Sequence, residues 1–79
     1  MTVTYELLDK ALRGLGLTRH QKDEKVFYSS TDDIPLIAYP QRPDTETVSA
    51  WHLSMARHSV IEMGLAEAAD FERALEQAA

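Results

Sequence analysis

The chain has 79 residues, no cysteine and a net charge of −5. That length allows one domain spanning residues 1–79, whose folding buries about 60–65% of the unfolded chain's surface; the cysteine count excludes a disulfide framework and a thiolate zinc site. No stretch approaches the ~20 apolar residues of a membrane span, and "MTVTYELLDK" lacks a basic-then-apolar leader, so no membrane is expected and a cytoplasmic, bacterial-type setting is.

"TYELLDKALRGLG" predicts the first helix, with Leu8, Ala11, Leu12 and Leu15 at helical spacing. Thr4 is the expected N-cap, and Gly14 or Gly16 the stop. Glu6 with Lys10, and Asp9 with Arg13, stand four apart in the favourable order. "LTRHQK" and "KVFYSS" predict two strands around a turn at Asp23-Glu24, because Val26, Phe27 and Tyr28 favour extended backbone. "STDD" has turn chemistry. "IPLIAY" predicts a third strand closed by Pro40 and Pro43. Pro35 has no N–H to give a ladder, so it belongs at a sheet edge or a strand's start.

These strands are apolar on both alternations. Val26 and Tyr28 oppose Phe27, while Leu36 and Ala38 oppose Ile37 and Tyr39. A sheet backed by helices on one side should alternate apolar with polar. The pattern therefore predicts a cover for the second face: another copy of the chain, a partner protein, or a C-terminal helix wrapped around it. "PDTETVSAWHLSMARHSVIEMG" predicts a long helix from Asp44 or Thr45 to Gly64. Its two stripes, Val48-Trp51-Met55 and Leu53-Ala56-Val60-Met63, mark it as the central helix. "EAADFERALEQ" predicts a last helix, with Ala68, Phe71, Leu75 and Ala78 on one side and acids outside. The expected class is α+β, a three-stranded antiparallel sheet with helices, in the order α-β-β-β-α-α.

Charge is uneven. Residues 1–43 balance six basic against six acidic residues, and residues 44–79 hold two basic against seven acidic. Lys10, Arg13, Arg19, Lys22 and Lys25 cluster in sequence. They are the candidate phosphate contacts if RNA is bound, and a solvated helix and hairpin otherwise. His20 is the candidate general base. His52 and His58 stand about 240° apart on a helix and cannot share a metal ion. His58 and Glu62 share a face, but two ligands make no site, so neither a metal nor a cofactor is expected. Asp32 and Asp33 are adjacent in a turn, where carboxylates usually diverge into water. Ser29, Ser30 and Thr31 have no identifiable base in the sequence. Phe27, Ile37, Tyr39 and Trp51 are the candidate interface residues.

Four segments, "GLGLTR", "HQKDEKVFY", "IPLIAYP" and "VIEMGLAEAADFERAL", together resemble the HicA family of small toxins from toxin–antitoxin pairs. The resemblance implies a fold like the double-stranded-RNA-binding domain, α-β-β-β-α, and a HicB-like antitoxin as partner. The family's hairpin carries a Gly-Ser-His element whose histidine serves RNA cleavage. Here Glu24, Lys25 and Val26 fall at that element, give or take one position. The segment "RPDTETVSAWH" has no family counterpart. The resemblance therefore implies the fold without the catalytic residue. Three functions follow as expectations. The first is a non-catalytic HicA-like domain that binds a partner protein or itself. The second is a divergent ribonuclease toxin using His20, Arg19, Lys22 and Lys25. The third is an acidic phage or mobile-element accessory protein acting by surface mimicry.

Overall fold

A computed structural model describes residues 2–30 and 35–79 of the chain. The predicted turn at Thr31-Asp32-Asp33, the adjacent carboxylates and the strand position of Ile34 lie outside the described residues. The elements run α1 (Tyr5–Gly14), β1 (Thr18–Lys22), β2 (Lys25–Ser29), β3 (Pro35–Pro40), α2 (Ala50–Glu62) and α3 (Ala68–Ala78). The strands form one antiparallel sheet in the order β1-β2-β3, so the class is α+β. Pro35 opens β3, at the sheet's edge, where its missing N–H costs no ladder bond.

The first helix follows its local signals. Thr4 caps it, its Oγ1 accepting the Leu7 N–H at 3.2 Å. Gly16 stops it at φ 95°. The Gly16 N–H donates to the Arg13 carbonyl at 3.0 Å and the Leu17 N–H to the Leu12 carbonyl at 3.2 Å. That pair of bonds is a Schellman motif, which needs a left-handed residue after the cap. Gly64 repeats it behind α2 at φ 70°, with Gly64 N–H on Ile61 and Leu65 N–H on Val60. A Cβ on Gly64 would meet no atom within 4 Å. Gly64→Ala should therefore cost only the backbone term, about 1 kcal/mol. Chemical denaturation checks this, and an unchanged midpoint would mean the αL stop is not maintained in solution.

The second helix corrects the sequence expectation. It starts at Ala50, not at Asp44 or Thr45, and Ser49 caps it by accepting the His52 N–H at 3.1 Å. The preceding segment has another task. Its Glu46 and Asp44 carbonyls accept the Tyr5 and Glu6 N–H groups at 3.0 and 3.1 Å, and Val48 N–H donates to Val3 at 2.8 Å. It serves the orphan donors at the start of α1, and winding it into helix would strip those donors bare.

The central helix is α1. It buries Tyr5, Leu7, Leu8, Ala11 and Leu12, whereas α2 buries only Ala56 and Val60. The core joins these to Val26, Tyr28, Ile37, Tyr39, Phe71 and Leu75. Of the two stripes read on α2, Trp51 is 75% exposed and Met63 56%.

Register decides the sheet's faces. Tyr28 pairs with Ile37 and Val26 with Tyr39, so all four point at the helices and are buried. Ile37 and Tyr39, expected at an interface, are thus spent in the chain's own core. The other face carries His20, Lys22, Lys25, Phe27 and Ala38. No helix buries it: Phe27 and His20 are half-buried and Ala38 is exposed. Among the described residues no helix is long and apolar enough to cross a membrane.

Candidate functional site

The hairpin tip closes through a turn of two residues. Asp23 and Glu24 adopt φ 54° and 63°, the double left-handed geometry of a type I′ turn. Asparagine and glycine suit it best, so an aspartate and a glutamate hold it at a backbone cost of about 1–2 kcal/mol per residue. Tertiary contacts brace the turn. The Glu24 carbonyl accepts the Gln41 N–H at 2.8 Å, and Gln21 Nε2 donates to Gln41 Oε1 at 2.8 Å.

The turn sets Lys22 directly opposite Lys25, an unfavourable like-charge pair. Both are exposed, and neither has an acidic partner among the described residues. The other three cations of the expected basic patch are engaged. Lys10 pairs with Glu6 at 3.5 Å, Arg13 with Asp9 at 2.7 Å, and Arg19 with Asp9 at 3.5 Å. They also lie elsewhere, Lys10 and Arg13 on α1 and Arg19 on the helix-facing side of β1. The fold divides the patch and leaves Lys22 and Lys25 beside the open sheet face.

On that face His20 stacks on Phe27, with ring centroids 5.2 Å apart and planes at 14°. His20 Nε2 and Ser29 Oγ are 2.8 Å apart. Sequence reading found no base for Ser29, since nine residues and a hairpin separate the two. The strand register supplies one. The pair has the elements of an activated hydroxyl, but Ser29 is only 1% exposed. A substrate carbonyl or phosphate cannot reach its Oγ in this conformation, and the same bond occupies His20 Nε2. The arrangement fixes the imidazole as part of an aromatic surface. Trp51, the remaining interface candidate, sits on α2, which packs against the opposite face of the sheet from Phe27.

A second polar cluster lies inside, on the helix-facing side, where the sequence showed only an Asp9–Arg13 pair. Tyr28 donates its hydroxyl hydrogen to Asp9 Oδ1 at 2.7 Å, and the Tyr39 hydroxyl lies 3.1 Å from it. Tyr5 bonds His52 Nδ1 at 2.7 Å, and the His52 ring stacks on Tyr39 at 5.6 Å. Burial, then the bond to the Asp9 carboxylate, push the Tyr28 hydroxyl's pKa well above its usual value, and burial raises that of Tyr39. Tyr5, Asp9, Tyr28 and Tyr39 line a pocket of about 160 Å³ with Arg19, Arg42 and Asp44. Arg42 is already committed to Glu46 through two bonds of 2.6 Å, and its guanidinium holds the Glu46 carboxyl below the usual carboxylate range. No buried side-chain polar atom in the described chain lacks a partner, so the cluster is a satisfied core network. The signal for it was present: a tyrosine at an inward strand position needs a partner for its hydroxyl. His58 reaches only Glu62, at 3.8 Å, and no three His, Asp or Glu side chains converge among the described residues.

No family model, curated protein or solved structure matches the chain.

Proposed function

We propose that this chain is a non-catalytic binding domain of HicA-like architecture that docks a partner protein on the uncovered face of its sheet. One observation carries this reading: Phe27 and Ala38 remain at the surface while three helices are spent on the other face. A 79-residue domain has little apolar surface to spare, and an apolar strand face rimmed by polar groups marks an interaction site. Lys22 and Lys25 rim it with unneutralised charge and favour an acidic partner. In a toxin–antitoxin setting that partner is a HicB-like antitoxin.

The test is recovery of the tagged chain from its own host. The native chain should return with a protein at fixed stoichiometry, and Phe27→Asp should return alone while keeping its circular dichroism. Equal recovery by both would remove the face as the docking site. On this reading the chain should also leave RNA probes intact and should not arrest growth when induced in a bacterium.

The exposed Lys22 and Lys25 beside His20 on the open face favour a second reading, a divergent ribonuclease toxin with His20 as base and the two lysines on the phosphates. Double-stranded RNA is read largely through phosphate and 2′-hydroxyl contacts, which this rim can make. Growth arrest by the native chain, relieved by His20→Ala, would establish it over the first.

A further inference from the structure

We propose that two copies of this chain pair antiparallel through their β1 strands, about a two-fold axis at His20, and join their sheets into one. The pairing uses the backbone edge of β1, not the face of the sheet, so it goes beyond the docking role above and stands independently of it.

β1 is an edge of the sheet. All five of its residues are exposed or half-exposed, and among the described residues no turn or loop backbone bond reaches them. The hairpin fixes which backbone groups are free. Lys22 and Lys25 flank a two-residue turn, so that pair exchanges both ladder bonds, and the pattern then alternates along the strand. His20 and Thr18, opposite Phe27 and Ser29, therefore also point their N–H and C=O inward at β2. Arg19 and Gln21 point theirs outward, with no backbone partner among the described residues. Such an edge is a template for another strand.

The edge matches itself in one register. An axis at His20 sets Arg19 opposite Gln21 of the second copy, and their outward groups then close into two hydrogen-bonded pairs. Thr18 falls opposite Lys22, so no like charges are directly opposed. Arg19 lies diagonal to Asp23 of the second copy. Asp23 and Glu24 have no ion pair within the described chain, and the pairing brings these carboxylates beside a guanidinium. The neighbouring registers are worse. An axis at Arg19 or at Lys22 opposes like charges. An axis at Gln21 draws Asp23 into the ladder, although its φ of 54° is not extended. In the favoured register the two His20 rings become neighbours, and the stack of His20 on Phe27 continues across the joined open face as a four-ring aromatic row.

Gln21→Pro tests this with little else disturbed. Proline removes only the outward N–H and leaves the β1–β2 ladder whole. Gln21→Ala is the matched control, since both variants lose the side-chain bond to Gln41. Sedimentation equilibrium over a dilution series should give twice the chain mass of 8.9 kDa for the native protein and for Gln21→Ala, and the single mass for Gln21→Pro. A native protein that is monomeric throughout, or a Gln21→Pro variant that dimerises like the native, overturns the proposal. Should Gln21→Pro fail to fold, amide hydrogen exchange in the native protein decides. The Arg19 and Gln21 amides should be protected in concentrated samples and exposed in dilute ones. Fast exchange at every concentration overturns it.

Discussion

Phe71→Ala is expected to lower the unfolding free energy by about 3–5 kcal/mol. The Phe71 ring is fully buried and belongs to the one cluster that unites α1, α3 and the sheet. Removing it leaves a cavity at the joint between two helices, of which α1 is held at both ends by its cap and turn and α3 at its start by a capping box, and this limits collapse. A domain's whole stability is about 5–15 kcal/mol, and small domains sit low in that range. The variant should therefore be largely unfolded at moderate urea concentrations where the native chain is folded. Circular dichroism against urea measures it: the midpoint falls while the slope holds. Glu76→Ala, on the exposed side of the same helix, should stay within about 0.5 kcal/mol. Equal, small effects from both would mean that α3 is not docked.

Alkaline unfolding is the second large effect. Tyr28 and Tyr39 both have hydroxyl pKa values raised above the usual 10.0, burial being the first cause in each case. The bond from Tyr28 to the Asp9 carboxylate adds to the rise, because a phenolate there would face a like charge. The sign follows from linkage. The folded chain holds these protons and the unfolded chain releases them near pH 10, so the stabilisation is whole below that pH and drains above it. The slope is up to about 1.4 kcal/mol per pH unit for each tyrosine held neutral. Thermal midpoints recorded from about pH 8 to about pH 12 should fall steeply past 10, and Tyr28→Phe should flatten the fall. At neutral pH that variant costs about 1 kcal/mol, the net worth of the lost hydrogen bond. Ionisation of every tyrosine at its ordinary pH in the folded protein, followed by ultraviolet absorbance, would refute the network.

The candidate site was half legible in the sequence. His20 and the lysines stood out by residue type, and the hairpin placed them together. Ser29 beside His20 did not, because that contact exists only once a two-residue turn sets Thr18 opposite Ser29 and His20 opposite Phe27. The basic patch was over-read. Five cations close in sequence end on different faces, and Asp9 takes two of them, an arrangement invisible before α1 is laid across the sheet. Ile37 and Tyr39 were misassigned because β3 is apolar on both alternations, and a period of two cannot say which set faces the core.

By itself, the sequence determined whatever depends on a few neighbouring residues: the Thr4 cap, a stop at Gly14 or Gly16 and another at Gly64, the extended preference of Val26, Phe27 and Tyr28, the amphipathic α3 and hence the order α-β-β-β-α-α. Each is a local preference of φ, ψ or capping, decided within a turn or two of chain. The tertiary structure alone decided where α2 begins, which helix is central and which strand face is covered. Those choices rest on partners far apart in sequence: carbonyls of Asp44 and Glu46 for the first N–H groups of α1, Asp9 for the Tyr28 hydroxyl, Ile37 opposite Tyr28. The burial that favours them exists only after the chain has closed on itself, when a buried donor without an acceptor costs more than any local propensity returns.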